Sequence, residues 1–149
     1  MADEKLLSVL FVCRENSARS QMAERYLRFL AGGRCRAESA GAEPVPINPL
    51  AVTVMKEIGL DISMQNSKSV GHFNDIFFDY VVTICHVVNE ECPDPSAKVK
   101  KIRWNMEDPS LVMGSDSEKI NAFRKTRDDI LQRVMTLAVQ ELKISVSET

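Results

Sequence analysis

Apolar positions along the 149 residues fall into two alternating patterns. Leu6-Leu7-Ser8-Val9-Leu10-Phe11-Val12 is a short apolar run, and Asp79-Tyr80-Val81-Val82-Thr83-Ile84 is another, rich in β-branched residues. Both read as buried strands. Cys35 to Ala40 and Val99 to Trp104 predict two shorter strands. Elsewhere the apolar residues recur at helical spacing. Ala18, Met22, Ala23, Tyr26, Leu27 and Leu30 give one buried face to a helix over Gln21 to Leu30, which Ala31-Gly32-Gly33 stops. Asn48 as N-cap and Pro49 at the first helical position start a helix to about Ile58, closed by Gly59. Ser115 to Leu142 is a final helix with Ile120, Phe123, Ile130, Leu131, Val134, Leu137 and Leu142 inward. Asp61 to Phe78 is irregular, with room for one short helix, and His86 to Lys98 is polar and loop-like.

Strands alternating with helices predict an α/β fold. The expected architecture is one open four-stranded parallel sheet with helices on both faces, residues 1–149 forming a single domain. Composition adds little to this. A hydrophobic share of 44% and a charged share of 27% are those of an ordinary globular protein. A formal net charge of −2 argues against a nucleic-acid or polyanion binder. The first residues are charged and lack the pattern of a signal peptide, and no apolar run approaches the ~20 residues of a membrane helix. The expectation is a cytoplasmic monomer without membrane contact. In a reducing compartment its four cysteines point to catalysis, redox chemistry or metal rather than to structural bridges.

The candidate chemistry begins where the first strand ends, at Cys13-Arg14-Glu15-Asn16-Ser17-Ala18-Arg19-Ser20. Strand, tight loop and helix follow one another here. Successive backbone N–H groups of such a loop converge on an oxyanion, and the helix N-terminus adds partial positive charge. The same field favours a thiolate at Cys13. Arg19 offers a planar fork for two oxygens of a tetrahedral anion. Ser20 is placed to hydrogen-bond the sulfur, and Asn16 tolerates the left-handed conformation that a cradle needs.

Cys85-His86-Val87-Val88-Asn89-Glu90-Glu91-Cys92 is the second informative stretch. Zinc ligands usually stand two to four residues apart, and the wider gap in this pair argues against a metal site. Cys13, Cys85 and Asp108 each fall at or just beyond the carboxyl end of a predicted strand, the edge where open α/β sheets bind ligands. With Cys13 on the same rim, a thiol relay through Cys85 and Cys92 is favoured, while Asp108-Pro109 is also a common turn opener. Cys85 and Cys92 on one helix would stand about 10 Å apart along its axis. A disulfide needs Cα atoms within ~7 Å, so the segment is expected to rearrange on oxidation. Cys35 reads as a core residue.

Val12 to Glu24 resembles the signature of the low-molecular-weight phosphotyrosine phosphatase superfamily, and within it the chain is most similar to the thioredoxin-coupled arsenate reductases. Glu38-Ser39-Ala40-Gly41, Ile47-Asn48-Pro49, Met55 to Gly59, Val81 to Cys85, Cys92-Pro93 and Glu107-Asp108-Pro109 match as well. The resemblance implies that residues 14–20 bind arsenate, with phosphate or sulfate competing. It also implies that Cys13 attacks the arsenic, that Arg19 clamps the anion and that Asp108 protonates the departing oxygen. Cys85 then attacks the Cys13 sulfur and releases arsenite, and Cys92 attacks Cys85, regenerating Cys13 and leaving a Cys85–Cys92 disulfide that thioredoxin reduces. No organic cofactor is expected.

A second reading is a phosphotyrosine phosphatase using Cys13, Arg19 and Asp108. It leaves Cys85 and Cys92 idle, and Ser110-Leu111-Val112 follow where such phosphatases carry aromatic residues. A third, a thiol sensor for arsenite, leaves Arg19 and Asp108 idle. Many members of the family have glycine where this chain has Glu15, whose side chain is expected to face solvent, and a second loop cysteine where it has Ala18. Some similar reductases hold potassium through residues matching Asn16, Glu24 and Ser39 with an acidic residue. Here Lys68 stands at that acidic position, and two readings stay open: its ammonium replaces the cation by pairing with Glu24, or it is a solvated surface charge.

Overall fold

The first apolar run occupies the middle of the sheet because both of its faces are apolar. In the computed structural model, which describes residues 6–86 and 92–145, that run is β1 (Leu7–Cys13). It is flanked by β2 (Cys35–Gly41) and β3 (Tyr80–Cys85), with β4 (Lys100–Asn105) beyond, in the order β2-β1-β3-β4. Every neighbouring pair is parallel. The four parallel strands expected from the sequence are thus observed in one sheet. β4 takes an edge, where Lys100, Lys101 and Arg103 give it the charged, exposed character of a protected edge strand.

Among the described residues three α-helices complete the fold: α1 (Arg19–Ala31), α2 (Pro49–Lys56) and α3 (Asp116–Gln140). The Asn48 side chain accepts from the Leu50 N–H at 2.9 Å, with Pro49 behind it. Regular helix ends at Lys56, earlier than the spacing predicts, and Gly59 at φ 79° turns the chain. Ser115 and Glu118 form a reciprocal capping box at the start of α3. None of the described helices is long and apolar enough to cross a membrane.

The sheet's two faces are covered unequally. Val9, Phe11, Val82 and Ile84 pack against Met22, Leu27, Val54, Phe123, Ile130 and Val134, so α1, α2 and α3 share one continuous core. Leu10, Val12, Ala40 and Val81 face a smaller cluster with Phe73 and Phe78. Among the described residues this second layer contains one 3₁₀ turn, Val70–Phe73, because residues 61–78 have no long apolar stripe to build an α-helix. Phe11 is fully buried and meets Trp104 at 5.9 Å between ring centroids. Burying such a ring contributes about 1.5–3 kcal/mol.

The register aligns the carboxyl ends of the central strands along one rim: Val12 pairs with Thr83, and Cys85 with Asn105. The opposite end is pinned by a reciprocal pair. The Ser8 N–H donates to Asp79 Oδ2 at 2.8 Å, and the Asp79 N–H donates to Ser8 Oγ at 3.1 Å.

α3 buries Phe123, Ile130, Val134 and Leu137 as its stripe predicts, but Ala138 joins them while Ile120 and Leu131 stay half-buried. Arg127 occupies the gap in the stripe. Its Nη1 donates to the Val54 carbonyl at 2.9 Å and to Glu57 Oε1 at 2.8 Å, while Arg124 Nη2 donates to Glu57 Oε2 at 2.7 Å. The Arg124 hydrogen bonds, with help from Arg127 and against some desolvation, hold the Glu57 carboxyl down to about 2. A carboxylate depressed in the folded state stabilises fully above its unfolded value of about 4.3, and that contribution disappears as pH falls through the folded value. In urea titrations Glu57→Gln is expected to be less stable than the natural chain at about pH 6, with the gap closing below about pH 3. A gap independent of pH would assign the pair no role in joining α2 to α3.

Candidate active site

β1 ends at Cys13 and α1 begins at Arg19, so residues 14–18 must turn the chain within one short loop. A neighbouring connection fixes that loop by taking its carbonyls. The N–H groups of Glu43, Val45 and Asn48 donate to the carbonyls of Arg14, Glu15 and Ser17 at 2.9, 3.1 and 2.9 Å. Ser67 Oγ donates to the carbonyls of Glu15 and Asn16 at 3.1 and 3.0 Å. With the carbonyls engaged outside, the opposite ends of the same trans peptide groups are left for the inner side. The Asn16 N–H donates to Cys13 Sγ at 3.2 Å.

Gly41 allows the connection to approach this closely. A Cβ there would meet the Arg14 carbonyl oxygen at 2.7 Å, the Asn16 nitrogen at 2.8 Å and the Cys13 carbonyl oxygen at 3.0 Å. These are backbone atoms of the cradle itself and have no side-chain freedom to yield.

Asn16 is fully buried at φ 51°, the left-handed conformation expected of it. Its Nδ2 donates to Ser20 Oγ at 2.8 Å and to Ser39 Oγ at 2.9 Å. Its Oδ1 accepts from Gln21 Nε2 at 2.9 Å and from the Lys68 N–H at 2.8 Å. Ser20 Oγ accepts from Asn16 Nδ2 and lies 2.8 Å from Cys13 Sγ, a contact in which either atom can donate. A backbone N–H and a hydroxyl thus both contact the buried sulfur. Ser39 Oγ donates in turn to Glu24 Oε1 at 2.5 Å, and Glu24, itself buried, pairs with Arg28 Nη1 at 3.1 Å and Lys68 Nζ at 3.4 Å. A chain of polar contacts therefore runs from the sulfur to Lys68.

Ser17, Ala18, Arg19 and Ser20 are buried, whereas Arg14 and Glu15 are partly exposed. Ala18 gives α1 no capping side chain and its first turn has no acidic residue, so a bound oxyanion is a suitable cap. Arg19 is 3% exposed; its Nη1 donates to the Met106 carbonyl at 3.0 Å, and its Nη2 lies 3.7 Å from Asp108 Oδ2. The other carboxylate oxygen, Asp108 Oδ1, accepts from the N–H and Oγ of Ser110 at 2.9 and 2.7 Å. Asp108 is therefore both a turn opener and a carboxylate aimed at the arginine.

Cys85 ends β3 and is joined to Cys92 by a disulfide, with their Cα atoms 6.4 Å apart. Residues 87–91, which carry most of the segment expected to rearrange, lie outside the described residues. Strand alternation puts Cys13 on the face of Phe11 and Cys85 on the face of Val81, so neighbouring strands present the two residues to opposite faces. Cys35 lies far from the rim, opposite Leu7 at the other end of the sheet. Burial, reinforced by Asp79, pushes its thiol up to about 11.

No local residue pattern marks Glu43, Val45, Asn48 and Ser67 as supports of the loop, or Met106 as the partner of Arg19. Three of the four supports act through main-chain N–H groups, which have no residue signature. Gly41 at a strand end before a proline-rich connection is the one available signal.

Residues 8–148 match the family described as low molecular weight phosphotyrosine protein phosphatase. A Halalkalibacterium halodurans protein named arsenate reductase is 39% identical over 130 residues, covering 87% of this chain and 94% of that one. A Synechocystis protein named glutaredoxin arsenate reductase is 34% identical over 129 residues, covering 87% and 94%. A solved structure described as an arsenate reductase in the phosphate binding state has a TM-score of 0.75 at 34% identity, covering 94% of this chain and 100% of that one. The thioredoxin-dependent arsenate reductase of Corynebacterium glutamicum has a TM-score of 0.63 at 25% identity, covering 90% and 64%.

Gly41→Ala tests the packing of the loop. Forcing a methyl group against three cradle atoms is expected to cost about 1–3 kcal/mol in denaturant unfolding. Phosphate affinity measured by calorimetry should fall at least tenfold. A variant that binds phosphate normally would show that the close approach at Gly41 does not shape the cradle.

Proposed function

The chain belongs to the low molecular weight phosphotyrosine protein phosphatase family, and from that membership we propose that it reduces arsenate to arsenite in the cytoplasm with electrons from thioredoxin. The Cys85–Cys92 disulfide, at the end of the strand beside the Cys13 loop, is the observation that carries this reading. A phosphatase has no use for it. Relatives named arsenate reductase, and a neighbour named thioredoxin-dependent, support the substrate and the donor.

Arsenate enters the cradle of residues 14–20 with the Arg19 fork on two of its oxygens. The Cys13 sulfur forms a bond to arsenic, and Asp108 protonates the oxygen that leaves as water. Cys85 then attacks Cys13 Sγ. The S–As bond breaks with its electron pair moving to arsenic, which leaves as arsenite, and a Cys13–Cys85 disulfide remains. Cys92 attacks Cys85, freeing Cys13 and forming the Cys85–Cys92 disulfide. A thioredoxin dithiol supplies two electrons to reopen it. Because Cys85 and Cys13 belong to opposite faces, residue 85 must turn over between the oxidised form and the attacking form.

A potassium ion takes no part in these steps. An ammonium 3.4 Å from Glu24 does not fit a site for a second cation, and Lys68 supplies the positive charge instead. The backbone N–H of Lys68 also donates to Asn16 Oδ1 at 2.8 Å, so this residue steadies the loop from two sides.

The direct experiment couples the protein to thioredoxin, thioredoxin reductase and NADPH. Arsenate-dependent NADPH oxidation is expected to exceed aryl phosphate hydrolysis, and a parallel glutaredoxin arm identifies the donor. Cys92→Ser should lose steady-state turnover by at least about 10²-fold yet complete one round, stalling as a Cys13–Cys85 disulfide seen by mass spectrometry. Normal cycling of Cys92→Ser would refute the relay. Replacing sodium by potassium should leave the rate unchanged, and a several-fold rise would return the cation to the site.

A further inference from the structure

Residues 105–108 run along the rim between the two halves of the site, and consecutive groups on this segment contact alternate sides. Asn105 pairs with Cys85 in the β3–β4 ladder. The Met106 N–H donates to the Cys85 carbonyl at 3.1 Å. The Met106 carbonyl accepts from Arg19 Nη1 at 3.0 Å. Glu107 Oε1 lies 4.0 Å from His86 Nε2, and Asp108 Oδ2 lies 3.7 Å from Arg19 Nη2. The cysteine end of β3 and the anion-clamping arginine are therefore held by the same four residues.

We propose that this segment is a clasp that makes oxyanion affinity at the Cys13 loop depend on the redox state of Cys85 and Cys92, with His86 and Glu107 as its positioning pair. The inference rests on the relay for its motion: residue 85 must turn over to reach Cys13. In the oxidised form the disulfide fixes Cys85, Cys85 fixes Met106, and Met106 with Asp108 occupies part of the Arg19 fork. A guanidinium already engaged by a carbonyl and a carboxylate has less to give an incoming anion. The Asp108 charge repels that anion as well. When the disulfide opens and residue 85 leaves its place, Met106 loses its anchor and Arg19 is released toward the loop. The oxidised protein, whose Cys85 thiol is tied up and cannot resolve a second turnover, thereby holds oxyanions poorly until it is recharged.

Linkage makes the effect reciprocal: an anion that prefers the reduced form draws the disulfide toward the dithiol. No new redox step is involved. The disulfide takes two electrons and two protons from the same dithiol donor whether or not an anion is bound. A tenfold ratio of affinities corresponds to about 30 mV in the potential of this two-electron couple.

The test uses inorganic phosphate as probe on the full chain, oxidised or held in dithiothreitol, with binding followed calorimetrically. Phosphate is expected to bind the reduced form at least about fivefold more tightly. Saturating phosphate should shift the disulfide potential upward by the matching amount. His86→Ala and Glu107→Gln should bring the ratio close to one while thiol counting shows that the disulfide still forms. Glu107 is 84% exposed, so its replacement leaves packing alone and keeps the test valid if the histidine variant misfolds. Equal affinities in the two natural forms would overturn the clasp, as would a ratio preserved in Glu107→Gln. The coupled arsenate assay is read separately: a redox-dependent phosphate affinity in a chain that does not reduce arsenate would sink the reductase reading and leave the clasp standing.

Discussion

The candidate site depends on where the carbonyl groups of one loop point. Three main-chain N–H groups and one serine hydroxyl take the carbonyls of residues 14–17 from outside, and the amide nitrogens are thereby committed to the inside. A peptide group has two ends, so fixing one end fixes the other. The orientation of the loop's peptide groups is thus set by hydrogen bonding on its far side, in a protein whose net charge is −2. Local orientation of neutral dipoles supplies what the overall charge does not.

Behind the cradle lies a buried carboxylate that is costly to hold and therefore well satisfied. Glu24 has the Ser39 hydroxyl, Arg28 and Lys68 around it. Removing one partner from a buried charge is far more damaging than never having the pair. The polar chain that ends at Cys13 Sγ is rigid for that reason: each member is already committed, so none can relax to accommodate a displaced neighbour. Asn16 is its central member, in a backbone conformation that few residues other than glycine accept.

Much of this was legible in the sequence. The apolar runs at Leu6 to Val12 and Asp79 to Ile84 identify the central strands because burial on both faces leaves a continuous signature. Asn48-Pro49 and Ser115 mark helix starts through side-chain chemistry that is local. Cys13, Arg19, Cys85, Cys92 and Asp108 were all nominated from residue type and position. What escaped was mediated by backbone or by distance. The Met106 carbonyl has no side-chain signature, and Arg127 reads as a solvated charge until Glu57 and the Val54 carbonyl are seen beside it. Residues 61–78 read as irregular with room for one short helix, and they cover the second face with a single 3₁₀ turn among the described residues.

Cys35 is set apart from the other three cysteines both in space and in reactivity. At a thiol value of about 11, only about one molecule in ten thousand is ionised at neutral pH, and exchange proceeds through the ionised form. Its place at the amino end of β2 adds the length of the sheet to that chemical silence. Scrambled bridges are disfavoured twice over, by rate and by reach.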